Sequence, residues 1–359
     1  MNNIKEILGY KKGMAYGVSG ARNCHIAVLG GSGSGKTSEI TMLAIQAAQR
    51  GDLVVEINMH NCLTPDCLMP TVRDAYMKMR SRIDVAKGMQ LPLFSKKKGE
   101  SNNDVIHRVT SLLAQAGGLT KTQTSYLKMA VSDIFETDAY SQKGIKAIQD
   151  FLECQEEKTA HNVSGNLRAL FDDNLVTDGD DPFVKAEGIM ELDVNGMQYD
   201  DQLTVVNFLL DYILREAEDG AFLKRNICLV IDECQNFSYA QNSTLYTLLN
   251  ESRRLRVSLI LAATELPTNK AASVYEQCGT MLYFSPTPTA RKKIAKKIAP
   301  QDFQKWVYRL SNLCIGEFVA AGSFIDEAGK SVDHPIVLES CVPKENAGTG
   351  VSESGGGVA

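Results

Sequence analysis

The sequence has 359 residues, 44% hydrophobic and 23% charged, the composition of a chain that buries a sizeable core in one large domain with an insertion or in two small ones. No apolar run reaches the roughly 18 to 20 uncharged residues of a bilayer crossing, and the start, with Lys5, Glu6, Lys11 and Lys12, lacks a signal-like apolar core, so a cytoplasmic protein without membrane insertion is expected. A formal charge of -5 excludes nucleic-acid binding by bulk charge but not by a local basic channel.

In chain order, His25 to Leu29 is a short apolar run ending in glycines, the pattern of a buried strand that feeds a turn. From Lys36 to Arg50 the residues Ile40, Met42, Leu43, Ile45 and Ala48 recur at helical spacing, and Gly51 stops the helix. Leu53 to Ile57 reads as a second strand. A strand, a helix and a strand in about thirty residues make a right-handed crossover with a parallel sheet.

Between His60 and Gly188 the texture is mainly helical: Thr71 to Ala86, Asp104 to Ala116, Thr122 to Phe135, Ile145 to Glu157 and His161 to Phe171, joined by polar stretches such as Ser95 to Glu100. The sheet pattern resumes at Ile189 to Val194. An amphipathic helix, Asp201 to Ala217, leads to the continuous apolar strand Ile227 to Ile231, of the kind buried on both faces. Helix Ser243 to Arg253 and strands Val257 to Ala263 and Met281 to Phe284 follow. The basic helix Ala290 to Ile298 and a segment around Trp306 precede Phe318 to Ile325 and Pro335 to Leu338, which read as a terminal hairpin about Asp326 to Gly329.

The expected organisation is a sheet domain starting at 1–59, a mainly helical insertion at 60–187, the remainder of the sheet domain at 188–343, and a Gly/Ser-rich disordered tail at 344–359. The nine cysteines are scattered and partly inside apolar runs, as Cys228 is, which suits reduced buried thiols. Cys62 and Cys67 lack the second pair that a zinc site needs.

Gly30-Gly31-Ser32-Gly33-Ser34-Gly35-Lys36-Thr37 matches the phosphate-loop pattern between a strand and a helix, with Ser38 opening the helix behind it. Glycines are required because the loop turns its backbone N–H groups toward phosphates at angles that side chains forbid. Lys36 is expected to reach the outer phosphates and Thr37 to ligate magnesium, aided by the positive end of the helix. Asp232 and Glu233, at the end of the strand Ile227 to Ile231, supply the complementary parts. Asp232 holds the magnesium shell, and Glu233 orients and activates the attacking water.

The stretch LVIDECQNF from Leu229, followed by NESRRLRVSLILAATELP up to Pro267, resembles the corresponding region of the FtsK/HerA superfamily of motor ATPases, which includes conjugative type IV secretion ATPases. The phosphate loop, the helical insertion and the closing GEFVAAGSF segment extend the resemblance over most of residues 20 to 340. It implies an α/β P-loop NTPase fold of RecA-like (ASCE) type, a mostly parallel sheet flanked by helices, and use of ATP with Mg. It also implies self-association into a hexameric ring and an arginine finger, carried over onto Arg253 or Arg254. The alternative is that Arg253, Arg254 and Arg256 are a solvated helix end. Where the family has a sensor Gln, this chain has Glu265, so either Thr264 senses phosphate or Glu265 faces a cation.

Arg291, Lys292, Lys293, Lys296 and Lys297 form the densest basic cluster. It and Lys96 to Lys98 suit either DNA phosphate or solvent. The functions that follow are a ring motor translocating double-stranded DNA, an ATPase energising a conjugation or type IV secretion apparatus, or a nucleotide-gated subunit with an effector partner.

Overall fold

The structure, a computed structural model, describes residues 4–20, 23–60, 63–172, 174–222, 225–241, 243–265 and 277–342, with residues 252 and 253 described by their backbone alone. The expected tail at 344–359 lies outside the described residues, as does Cys62. The chain opens with strands β1 (Ile4–Lys11) and β2 (Met14–Ser19), then β3 (Ile26–Gly30), helix α1 (Lys36–Gln49) and β4 (Leu53–Asn58). Helix α2 (Pro70–Met79) runs into β5 (Arg80–Asp84), and β6 (Met89–Gln90) follows. Next come α3 (Asn102–Ala116), α4 (Lys121–Glu136), α5 (Ala139–Lys143), α6 (Lys146–Glu153), α7 (Lys158–Asn166) and α8 (Arg168–Phe171). Strand β7 (Val176–Thr177) and α9 (Pro182–Lys185) close this region. The chain returns through β8 (Ile189–Asp193), α10 (Tyr199–Glu218), β9 (Ile227–Ile231), α11 (Thr244–Leu255), β10 (Val257–Ala263) and β11 (Thr280–Phe284). After the helices Pro288–Ile298 and Phe303–Ser311 it ends in β12 (Glu317–Gly322), β13 (Phe324–Asp326), β14 (Ser331–Val332) and β15 (Ile336–Ser340).

Among the described residues thirteen of these strands form one sheet in the order β14-β13-β2-β1-β15-β12-β11-β3-β10-β9-β4-β8-β5, and β6 pairs with β7 separately. From β11 to β5 every neighbouring pair is parallel, as crossover helices demand. Beyond β11 the pairing is antiparallel. The central parallel strands β3, β9 and β10 are almost wholly apolar because both faces are covered, whereas β4, β8 and the edge strand β5 carry charged residues. Ile26, Val28, Val54 and Val230 pack with Ile40 and Leu43 of α1, whereas the alternate residues Ala27, Leu29, Val55 and Leu229 join a core with Val205, Phe208 and Leu209 of α10. The helices α3 and α4 start on reciprocal capping boxes, Ser101 with Asp104 and Thr120 with Gln123.

Three local expectations change. The helix expected over Thr71 to Ala86 ends at Met79, and Arg80 to Asp84 is instead the edge strand of the main sheet. Its reason is a set of partners far away in sequence: Arg80 pairs with Glu191, and Arg82 with Asp193, both on the neighbouring strand β8. The run from Phe318 breaks at Gly322, which takes φ +114°, so β12 pairs with β15 while Phe324 and Ile325 pair with β14. The N-terminal hairpin of β1 and β2 was not foreseen from its mixed, charged composition.

Helix α1 is gripped by both ends of the described chain. The Gln46 amide donates to the Ile7 carbonyl and accepts from the Ile7 N–H, each at 2.9 Å. Arg50 binds the buried carboxylate of Glu6 at 2.9 Å. Glu39, fully buried, accepts a hydrogen bond from Ser340 Oγ, and burial pushes its carboxyl up to about 7 against that bond and one from Cys341.

Candidate functional site

The phosphate loop leaves β3 at Gly30, and two neighbours fix its exit. A Cβ on Gly30 would lie 2.0 Å from the Phe284 carbonyl oxygen of β11, so only glycine allows the strands to approach. The Gly31 N–H then donates to the Ser285 carbonyl at 3.4 Å. Gly33 takes φ +73° with no atom within 4 Å of a hypothetical Cβ, and Gly35 takes φ +102° as the N-cap of α1. These left-handed turns aim the following backbone N–H groups into one concavity, ahead of a helix N-terminus, which is an anion cradle by construction. Ser34 Oγ donates to the Gly31 carbonyl at 2.7 Å and Lys36 Nζ to the same oxygen at 3.1 Å. Ser32 is exposed at the loop tip, and Thr37 and Ser38 sit half-buried in the first turn of α1.

Lys36 is 7% exposed. Burial lowers its pKa, and the charges of Asp232 and Glu233 oppose that shift. The two acids therefore face the loop lysine across the ends of parallel strands. Asp232 follows β9 directly, and its carboxylate accepts from the Glu233 N–H at 2.8 Å. Burial first, and the neighbouring Glu233 charge next among the raising influences, hold the Asp232 carboxyl above its usual range, with Lys36 and His60 pulling it back.

Glu233 occupies the left-handed region at φ 52°, a conformation that non-glycine residues adopt at a cost and that clusters at functional turns. The turn brings its carboxylate onto Thr264 Oγ1 at 3.1 Å and onto the Gln235 amide. Gln235 Nε2 also donates to Thr264 Oγ1 at 3.1 Å. Strand β10 lies between β3 and β9, and Ala263 pairs with Leu29, so Thr264 emerges level with the start of the phosphate loop. Lys36, Asp232, Glu233 and Thr264 thus converge from three adjacent strands at their carboxyl edge, where open α/β sheets bind ligands. A hard-oxygen donor set of one hydroxyl and one carboxylate suits a magnesium ion that keeps phosphate and water among its ligands. Gln235 is the neighbour of this centre that the sequence reading lacks, although an amide two residues beyond Glu233 is visible in Glu233-Cys234-Gln235; His60, expected after the second strand near nucleotide-facing loops but with no role, enters through its charge on Asp232.

The remaining expected residues lie elsewhere. Glu265 is exposed and Thr264, not Glu265, contacts the glutamate. Arg254 is 62% exposed at the end of α11, near Glu251 and 3.8 Å from Glu218, at the opposite end of β10 from Thr264. It cannot serve its own phosphate loop. The side chain of Arg253 lies outside the described residues. In the basic helix, Arg291 is committed to the Pro286 carbonyl at 2.8 Å and Lys296 lies over the Phe303 ring, whereas Lys292 and Lys293 are exposed. Lys97 is tied to Glu216 and Asp219 of α10 and its loop, which removes it from the set of solvent-facing cations.

A second acidic cluster lies two strands further on. Glu56 accepts from Tyr76 Oη at 2.7 Å, Asn58 Nδ2 donates to Glu191 at 2.9 Å, and Arg80 and Arg82 close the group at the sheet edge. Burial drives the Glu56 carboxyl up to about 8, assisted by Glu191 and Asp232.

No protein-family model matches the chain, and no curated protein matches it in sequence. Its fold is nevertheless that of known structures. VirB4 of Thermoanaerobacter pseudethanolicus superposes with a TM-score of 0.63 at 15% identity, covering 94% of this chain and 96% of the other. The plasmid coupling protein TrwB, in complex with ADP and Mg2+, superposes with a TM-score of 0.56 at 12% identity over 90% and 87% of the two chains. TrwB in complex with the GTP analogue GDPNP gives 0.57 at 10% identity over 90% and 87%. Among the described residues no helix is long and apolar enough to cross a membrane.

Proposed function

We propose that the chain is an ATPase that works as a subunit of a hexameric ring and moves double-stranded DNA. The observation that carries this reading is the convergence of Lys36, Asp232, Glu233 and Thr264 on a phosphate cradle. The backbone N–H groups of Ser32, Gly33 and residues 35–37 hold the phosphates, with Lys36 on the outermost ones. Thr37 and Asp232 would hold a magnesium ion, whose chemistry would be to neutralise charge on the phosphate oxygens. Glu233 accepts the proton of the attacking water, and Thr264 and Gln235 fix its carboxylate so that one oxygen faces the cradle. Glu39 and the rest of α1 keep the loop rigid from behind.

Because Arg254 stands at the far end of β10 from its own loop, an arginine from residues 253–254 acts on the site of the next subunit, which makes the ring part of the catalytic unit. Lys292 and Lys293 are the cations offered to DNA phosphate. The fold match to VirB4, together with the net charge of -5, supports a second reading in which the same hydrolysis energises a secretion apparatus in the cytoplasm without DNA contact. Steady-state ATP hydrolysis with and without duplex DNA separates the two. The first reading requires stimulation of about tenfold or more that fades steeply between low and 200 mM salt. DNA-independent turnover would reject it in favour of the second, and no turnover in either condition would reject both.

A further inference from the structure

The phosphate loop has two flanks in the sheet. Strands β10 and β9, with Thr264, Asp232 and Glu233, lie on one flank, and β11 and β12 lie on the other. Asp232 and Glu233 follow β9, and Glu233 is bonded to Thr264 at the end of β10, so the terminal phosphate of a bound nucleotide points toward that flank and its nucleoside leaves toward β11 and β12. On that flank the loop preceding β12 borders the cradle. A Cβ on Gly35 would meet Gly316 N at 3.5 Å, Gly316 Cα at 3.7 Å and the Phe284 ring at 3.9 Å.

The loop is held rigidly. The Gly316 carbonyl accepts from the Ser340 N–H at 2.8 Å, and the Cys314 N–H donates to the Glu317 carboxylate at 2.9 Å. Phe318 stacks on Phe284 with ring centroids 4.7 Å apart. Between these anchors stands Ile315, 85% exposed beside a polar anion cradle. Three residues earlier in the chain the Asn312 amide donates to the Tyr308 carbonyl at 2.7 Å. An apolar side chain of this exposure on a fixed loop gains free energy when a flat apolar surface covers it.

We infer that Ile315 is the platform for the nucleobase, covering one face of a purine by apolar contact and leaving the base edge unread. The inference rests on the ATPase reading above. Isothermal titration of the full chain with ADP, GDP and inorganic pyrophosphate, each with magnesium, tests it in the wild type, Ile315→Ser and Ile315→Leu. Ile315→Ser weakens ADP and GDP by about tenfold alike, pyrophosphate stays within about twofold, and Ile315→Leu restores both nucleotides. Unchanged ADP affinity in Ile315→Ser overturns the platform. So does a parallel loss of pyrophosphate, which would place the effect on the cradle through Gly316. A wild type that binds neither ADP nor pyrophosphate would instead sink the ATPase reading, and this inference with it.

Discussion

Two groups of acids sit on the same face end of the same parallel sheet and are used in opposite ways. Asp232 and Glu233 open onto the phosphate loop and answer a single buried cation, Lys36. Glu56, Glu191 and Asp193 are sealed beneath α2 and met by Tyr76, Asn58, Arg80 and Arg82. Residue type does not separate them, and neither does burial. What separates them is where the partners come from: Glu56, Glu191 and Asp193 are met by side chains of the fold, although one oxygen of Glu56 is left without a hydrogen bond, while the open pair stands beside the glycine-rich loop and Lys36. Charge that is satisfied within the fold acts on stability, and charge that is directed outward acts on a ligand.

That contrast breaks most easily at the open pair. Glu233→Gln should lower ATP turnover by 10² to 10⁴, about the worth of a general base, while ATP binding by equilibrium dialysis persists, and Lys36→Ala should lose both. Turnover of Glu233→Gln at the wild-type rate would take the water-activating role away from this residue. In the sealed group the same kind of change should spare binding and strike the fold. Arg80→Ala leaves the buried Glu191 with only the more distant cation Arg82, 3.8 Å away, and should cost about 3 kcal/mol in urea unfolding, with ADP affinity unchanged.

Glu56 gives the contrast a pH signature. Its carboxyl keeps a proton to about 8 in the folded chain, well above the ordinary value of 4.5, so the folded state binds more protons than the unfolded one between those values. Stability from this group is fully present below 4.5 and is lost as pH rises through about 8, and Glu39, pushed to about 7, adds to the same trend. Glu56→Gln, permanently neutral, should therefore flatten the profile and raise stability at pH 8 by about 2 kcal/mol. An unchanged slope of thermal unfolding between pH 5 and 8 would show that Glu56 is ionised throughout. The smallest effect belongs to Thr264→Val, which removes one hydrogen bond to Glu233 and should slow hydrolysis by about tenfold at nearly constant stability, about 1 kcal/mol or less.

The open group was legible in sequence and the sealed one was not, for a physical reason. A phosphate loop is a local object, eight consecutive residues whose turns are dictated by glycine, and Asp232 and Glu233 advertise themselves by ending an apolar strand. The central parallel strands β3 and β9 announce themselves in the same way, as uninterrupted apolar runs. Arg80 to Asp84 reads as the continuation of a helix because its strand character comes from Glu191 and Asp193, more than a hundred residues away. The expected sensor position illustrates the limit within the site itself: periodicity could not choose between Thr264 and Glu265, and the choice fell to the direction of one side chain at a strand end. The split of the closing hairpin at Gly322 likewise depends on which strands are already in place, a property of the sheet rather than of the segment.

The grip on α1 carries a consequence for biosynthesis. Its partners are Ile7 at the beginning of the described chain and Ser340 near the end, so Glu39 waits for a residue 301 positions downstream before its buried carboxyl is satisfied. On a ribosome the helix behind the phosphate loop therefore emerges early and is completed late, with the loop-closure entropy of nearly the whole chain to be met before it settles. A nascent chain stalled before β15 would carry every residue of the cradle and still lack the strand that holds it in shape.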